Sequence, residues 1–222
     1  MNLGLPVLRY SNMGENITSA GNQQGTRKIA RDSSETTSQA PLPEGVIKAY
    51  LLGSLHDGTY SCNNRYRFSQ KGKQWLKVLQ KLLSRLSYNS WIYREGATRN
   101  VYVLETLADF LDFGFNPLVL NKNEEKAAYV RGFFDAEGGI PRKRKARFYV
   151  QLVQNDKGKL KKIKKLLNDL HINTGVIHNP SKSVDPDYWR LYVLSNSLTK
   201  FVRGIGTWHP RKIRTIGRRM KI

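Results

Sequence analysis

In two places eighty positions apart, Asp57-Gly58 and Glu137-Gly138, this 222-residue chain has an acid followed directly by glycine at the end of a helix-like run. Each closes a segment whose apolar residues recur at helical spacing, so each carboxylate stands at the negative end of a helix dipole, where an acid is electrostatically unfavourable. Small residues recur before both acids, Ala49 and Gly53 in one segment and Ala128, Gly132 and Ala136 in the other. Small residues four apart open a groove in which two backbones can approach closely. Helices packed through Gly53 and Gly132 would bring the two carboxylates together at one end. Like charges so placed repel, and a hard divalent cation with oxygen ligands is the natural partner to offset that. Mg²⁺ held at Asp57-Gly58 and Glu137-Gly138, with Mn²⁺ able to substitute, would polarise a phosphoryl group and lower the pKa of an attacking water. A lone acid at a helix end is an ordinary surface feature. Its repetition at the same place in two similar segments favours the chemical reading.

The charge balance supports a phosphate substrate. Lys and Arg number 38 against 17 Asp and Glu, a formal net charge of +21, with a pI near 10.2. Uncompensated charge of this size calls for a polyanion, nucleic acid first. Its distribution is uneven: residues 1–44 carry four basic and four acidic side chains, 45–139 carry 13 and 9, and 140–222 carry 21 and 4. No apolar run reaches the length of a membrane span and the N-terminus lacks a secretory pattern, which predicts a soluble protein with no membrane partner. The single cysteine, Cys62, excludes an internal disulfide and a multi-cysteine zinc site. The four histidines, His56, His171, His178 and His209, have no metal-motif spacing and read as ordinary polar residues.

The elements that must position the acids form a repeat. VIKAYLLGSLHDGTY, RYRFSQ, KGKQWLKVLQKLLSRL, SWIYRE and NVYVLETLADFLDFG are followed by EEKAAYVRGFFDAEGGI, ARFYVQLVQ, DKGKLKKIKKLLNDL, TGVIHN and WRLYVLSNSLTKFVRG. Each set reads helix, two strands, helix, two strands, helix. Leu76, Leu79, Leu82, Leu83 and Leu86 after Trp75, and Leu160, Ile163, Leu166, Leu167 and Leu170, have the period of an amphipathic helix. Gly58, Gly114 and Gly138 are expected to stop helices as residues tolerant of positive φ. Strand alternation points Tyr66, Phe68, Val150 and Leu152 at the helices. It leaves Arg65, Arg67, Ser69, Arg147, Tyr149 and Gln151 on a basic, polar face. The units are 1–44, a polar extension with a Pro-rich linker; 45–120, the first repeat; 121–206, the second; and 207–222, a basic segment read as an added phosphate-binding helix.

At the acid-bearing segments the sequence resembles the LAGLIDADG homing endonucleases, specifically the single-chain, two-motif class of the intron-encoded, archaeal-like kind. YVRGFFDAEGG matches the motif well, with glycine five residues before the acid, whereas in YLLGSLHDGT Gly53 stands four before Asp57. The resemblance covers about residues 46–204. It implies an α+β fold of two pseudo-symmetric αββαββα repeats, each a curved four-stranded antiparallel sheet, forming a DNA-binding saddle around a central helix pair. It also implies a monomer that makes Mg²⁺-dependent staggered cuts in a long double-stranded DNA target. A Gln or Lys after the second strand approaches the active site in the family, and Gln70-Lys71 and Gln154-Asn155 occupy those places. The expected catalytic residues are therefore Asp57, Glu137, Gln70, Lys71 and Gln154.

Further candidates for DNA contact are Arg94 and Arg99, the tract Arg142, Lys143, Arg144, Lys145 and Arg147 between two strands, and Arg211, Lys212 and Arg214 near the C-terminus. Arg paired with guanine and Gln with adenine would be the informative base contacts. The lysines of DKGKLKKIKKLL read equally as the wet face of a helix or as a source of long-range steering. Two alternatives share the scaffold: a splicing maturase that binds intron RNA, and a non-catalytic DNA-binding protein. The expected location is intracellular, cytoplasmic in an archaeal or bacterial host and organellar in a eukaryotic one.

Overall fold

The structure is a computed structural model and describes residues 41–143 and 145–220. The polar extension up to residue 40, Arg144 and residues 221–222 lie outside the described residues. Helix α1 (Glu44–Ser54) begins directly after Pro43, whose ring fixes φ without requiring a hydrogen-bonded N–H, and passes into a 3₁₀ turn (Leu55–Asp57). Strands β1 (Gly58–Tyr60) and β2 (Tyr66–Lys71), helix α2 (Gln74–Arg85), and strands β3 (Ser90–Glu95) and β4 (Val101–Thr106) complete the first half. The second half runs α3 (Asn123–Glu137), β5 (Gly138–Gly139), β6 (Gln151–Gln154), α4 (Lys157–Asp169), β7 (Trp189–Tyr192) and α5 (Leu198–Gly204). A last helix, α6 (Pro210–Met220), lies beyond it. Among the described residues no helix is long and apolar enough to cross a membrane.

Both sheets are antiparallel, with strand orders β1-β2-β4-β3 and β5-β6-β7. On β2 and β6 the alternation has the expected sense: Phe68, Val150 and Leu152 are buried against the helices. The leucines of α2 and α4 cover that side, with Leu76, Leu79, Leu82 and Leu83 from one and Leu160, Ile163, Leu166 and Leu167 from the other. They join α1 and α3 in one continuous core. Helix α4 starts at the Asp156 side chain, which accepts from the N–H groups of Gly158 and Lys159 at 2.7 and 3.2 Å.

The architecture departs from two identical repeats in two places. The second sheet has three strands, because residues 174–178 contribute only isolated bridges, Thr174 with Val193 and His178 with Arg190. Four steps on one side span three on the other, so an extra residue bulges out and interrupts the ladder. Val176 at that bulge is exposed, and the Lys164 amine takes the Gly175 carbonyl at 2.9 Å. In the first half the expected closing helix is missing. Ala108 and Leu111 are buried, but Gly114 and Pro117 break the run into turns and one 3₁₀ turn (Pro117–Val119).

Candidate active site

Helices α1 and α3 cross at their two glycines. A Cβ on Gly53 would lie 2.0 Å from the Tyr129 carbonyl oxygen, and one on Gly132 would lie 2.0 Å from that of Tyr50. The contact is reciprocal, since Tyr50 and Gly53 stand to Tyr129 and Gly132 at one constant offset of 79 positions. The acids, however, are 80 positions apart. The 3₁₀ turn at Leu55–Asp57 accounts for the difference. One α step and three 3₁₀ steps from Gly53 to Asp57 advance about 7.5 Å and turn about 460°, against about 7.5 Å and about 500° for the five α steps from Gly132 to Glu137. Tightening one turn therefore brings the shorter motif's acid to nearly the same height and bearing.

Each acid leads directly into a strand that begins at its glycine, with Gly58 opposite Phe68 and Gly138 opposite Leu152. The expectation of positive φ at these glycines is corrected: φ is −92° at Gly58 and −84° at Gly138, both extended. Glycine is needed there for space. A Cβ on Gly58 would meet the Leu55 carbonyl oxygen at 2.9 Å, and one on Gly138 would meet the Phe134 ring at 2.1 Å and the Phe134 carbonyl oxygen at 2.4 Å.

The electrostatics place the two carboxylates within reach of one another. Burial, followed by the nearby charge of Asp57, pushes Glu137 from an ordinary 4.5 to about 7, against the opposing pull of Lys212 and Lys159. Partial desolvation also raises Asp57, while a hydrogen bond from Gln70 and the charge of Lys212 restrain the rise. The Gln70 amide donates to Asp57 Oδ2 at 3.0 Å. Gln154, the equivalent residue of β6, is instead buried, and its carboxamide oxygen accepts from the Asn155 N–H at 2.9 Å. The expected pair of active-site glutamines is thus realised on one side only. Lys71 is exposed on the face shared with Arg67 and Ser69. The donor set at the helix ends is all oxygen, and its mutual repulsion is what a divalent cation would relieve, so it fits Mg²⁺ or Mn²⁺. Among the described residues no cluster of three or more His, Cys, Asp or Glu side chains forms a further metal site.

A layer behind the acids escaped the sequence reading. The Tyr50 hydroxyl donates to Asp135 Oδ2 at 2.7 Å, while the Tyr129 hydroxyl pairs with His56 Nε2 at 2.8 Å. His56 stands to Asp135 at the same offset of 79, so the two tyrosines make the same cross-helix contact to chemically different partners. Asp135 is buried and also accepts from the Trp208 N–H at 2.8 Å and from the Thr207 hydroxyl. Burial and the charge of Lys159 lower His56 to about 4, so it is neutral. The usable signal was the Tyr-x-x-Gly spacing shared by both helices, together with a second acid two residues before Glu137.

The residues assigned to DNA divide into several groups. Arg67 and Ser69 lie on the sheet face turned away from α2, but Arg67 is held by Glu95 and Glu105, each at 3.1 Å, and Arg65 by Glu105 at 3.1 Å. Burial would raise Glu105, yet the Tyr93 hydroxyl and both guanidiniums outweigh it and hold the carboxyl below its usual range. Arg94 pairs in register with Tyr102, on the face of Ile92 rather than of Arg67, and its Nε donates to the Arg99 carbonyl at the exposed hairpin. Alternation therefore puts Arg94, a candidate for DNA contact, on the opposite face of the sheet from Arg67. Arg142, Lys143, Lys145 and Arg147 are exposed, with Arg147 donating to Ser195 Oγ at 2.9 Å. Tyr149 meets Tyr192 edge-on at 5.9 Å, and Gln151 lies over Gly139 beside it. On α6, Arg211 and Arg214 are exposed. Lys212 is not a groove residue: it is 2% exposed, and its amine donates to the Asp135 carbonyl at 3.1 Å and to the Phe134 carbonyl. The amphipathic period of α6 turns this lysine inward, with Ile216 one turn on.

Comparison with known proteins agrees with this geometry. The LAGLIDADG-like domain matches residues 124–206. No curated protein matches the chain. The structure of I-DmoI in complex with DNA and Mn is 23% identical, covers 74% of this chain and 98% of that one, and superposes with a TM-score of 0.54. For I-DmoI with DNA and Ca the values are 21%, 78%, 97% and 0.57. Full-length DUF199/WhiA from Thermatoga maritima is 20% identical, covers 82% of this chain and 62% of that one, and has a TM-score of 0.60. Residues 124–206 thus match the LAGLIDADG-like domain, and the described chain, with its glycine-crossed helix pair and two antiparallel sheets, shares the fold of I-DmoI.

Proposed function

We propose that the protein is a site-specific endonuclease of the homing type that hydrolyses phosphodiesters in both strands of a double-stranded DNA target. The observation that carries this reading is the helix crossing at Gly53 and Gly132, which brings the Asp57 and Glu137 ends together within a chain of net charge +21. Structural likeness to I-DmoI, which was solved with DNA and with Mn, Mg or Ca, supports it. Asp57 and Glu137 would hold the cation, with the main chain at Gly58 and Gly138 alongside. A bound Mg²⁺ or Mn²⁺ supplies Lewis acidity toward a phosphoryl oxygen and acidifies water. Gln70 fixes the Asp57 carboxylate through its amide. The exposed Arg142, Lys143, Lys145, Arg147, Arg99, Arg211 and Arg214 would neutralise backbone phosphates and set the register of the duplex. Arg65, Arg67, Ser69, Tyr149 and Gln151 would face base edges. Each acid serves mainly one strand, and a single chain supplies both half-sites, so the protein acts as a monomer. An intron-encoded origin and an intracellular location follow from the same reading.

The test is to purify Asp57→Asn and Glu137→Gln and assay binding with Ca²⁺ and cleavage with Mg²⁺ on a target selected from a randomised duplex library. Both variants should bind like the parent and fail to complete the double-strand cut. Wild-type cleavage by either removes the proposal. A second reading is a nucleic-acid-binding protein without nuclease activity, on DNA or intron RNA, for which the net charge of +21 on this scaffold suffices. It requires that the parent protein bind without cutting in any divalent cation.

A further inference from the structure

Helix α6 begins at Pro210, beyond the stretch matched by the LAGLIDADG-like domain, which ends at residue 206. Nevertheless it reaches the carboxyl end of α3. The last carbonyls of a helix have no partner within it. Here the Gly138 N–H donates to the Phe134 carbonyl as the helix closes, and the Lys212 amine donates to that carbonyl and to the Asp135 carbonyl at 3.1 Å. The amine also stands 4.4 Å from the centre of the Phe134 ring. The segment before α6 is tied to the same turn, since Thr207 and the Trp208 N–H both donate to Asp135. Among the described residues helix α1 has no such brace at its acid, which rests on Gln70 instead.

We propose that Lys212 is a positioning residue for the active centre: by clamping the Phe134 and Asp135 carbonyls, it fixes the turn that carries Glu137 and so serves one of the two half-sites. The proposal rests on the endonuclease reading for its catalytic consequence but not for its structural one. The positive charge of Lys212 lies within electrostatic reach of both Glu137 and Asp57, so the clamp also offsets part of their repulsion. A buried lysine whose donors point at main-chain carbonyls is suited to this. It can hold a turn without occupying the space where phosphate would bind.

The experiment uses the full chain with Lys212→Met, which keeps the length and removes the donors and the charge. Amide hydrogen exchange is read at Gly138 and compared with Gly58, and strand-resolved cleavage of a labelled duplex is read under single turnover. Exchange at Gly138 should quicken at least tenfold with Gly58 unchanged. The strand served by Glu137, identified from the strand that Glu137→Gln spares least, should be cut at least tenfold more slowly than its partner, so that nicked duplex accumulates. Target affinity in Ca²⁺ should stay within about twofold. Equal slowing of both strands, or unchanged exchange at Gly138, overturns the proposal. If the parent protein shows no cleavage, the endonuclease reading fails while the exchange measurement still decides the clamp. Because Lys212→Met leaves Asp135 as a buried charge, the double variant Asp135→Asn/Lys212→Met removes both charges and keeps the fold accessible; the same bias toward one strand, and the same local exchange, is expected there.

Discussion

The apposition of Asp57 and Glu137 can be tested without any DNA. Glu137→Gln replaces the carboxylate by a neutral isostere. In the folded chain Glu137 is raised from 4.5 to about 7. A raised folded pKa means that its contribution to stability is fully present below pH 4.5 and is lost as the pH climbs through 7. At 1.36 kcal/mol per pKa unit the full loss is about 3 kcal/mol, and screening at a half-buried carboxylate cuts it to roughly 1–2 kcal/mol. Without metal, the variant and the parent should therefore be equally stable near pH 4.5. By pH 8 the variant should be the more stable by that amount. Urea midpoints measured at half-unit pH steps provide the comparison. Adding Mg²⁺ should narrow or reverse the gap at pH 8, because a cation bound only by the folded parent stabilises it by mass action. In Asp57→Asn the slope should shrink but persist, since burial is the larger cause of the shift. A stability difference that stays flat from pH 5 to 8 would mean that the two acids do not meet, and the metal site would go with them.

Three other outcomes follow from particular contacts. Gly53→Ala and Gly132→Ala each set a methyl group 2.0 Å from a carbonyl oxygen of the facing helix, so each should cost about 2–4 kcal/mol of unfolding free energy by denaturant titration, whereas Gly96→Ala, at an open hairpin with positive φ, should cost about 1 kcal/mol. Glu105→Gln releases Arg65 and Arg67 from a carboxylate only 7% exposed. Non-specific DNA binding should then tighten and its log–log salt slope steepen by about 1, with about 1–3 kcal/mol lost in stability; an unchanged slope would place both arginines off the DNA. Gln70→Ala should slow cleavage of the Asp57-served strand without weakening Ca²⁺-supported binding, while Gln154→Ala should leave strand rates unchanged and lower stability, a contrast read in the same strand-resolved assay.

The parts of this fold legible in the sequence are those with strong periodicity. The leucine stripes of α2 and α4 and the alternation around Phe68 and Leu152 each bury one face, and the burial follows the pattern because nothing else could cover it. The small residues at Gly53 and Gly132 likewise announced a close crossing, which sterics alone require. What stayed hidden depends on partners distant in the chain. The amphipathic period of α6 puts Lys212 on the flank of Ile216, but no local pattern indicates that this flank meets the carboxyl end of α3, 77 residues back in the chain. Arg65 and Arg67 looked free because Glu105 reaches them across a strand register, about forty residues away in sequence. The missing fourth strand reflects one surplus residue between two bridges, a defect invisible to composition. The one-residue shortening before Asp57 was visible in the sequence; the tightened turn that absorbs it was not.

That turn constrains anyone who would recombine the two halves of the protein. Deleting a residue inside an α-helix ordinarily swings everything downstream through about 100°. Leu55–Asp57 takes up the deficit within itself, so the segment from Tyr50 to Gly58 behaves as an indivisible cassette. A hybrid spliced inside it would combine a full-length motif with a shortened exit and send the carboxylate round the side of the helix. Junctions placed before Tyr50 or after Gly58 avoid that, and a nine-position motif grafted there should arrive with its own strand start, leaving the partner acid's surroundings untouched.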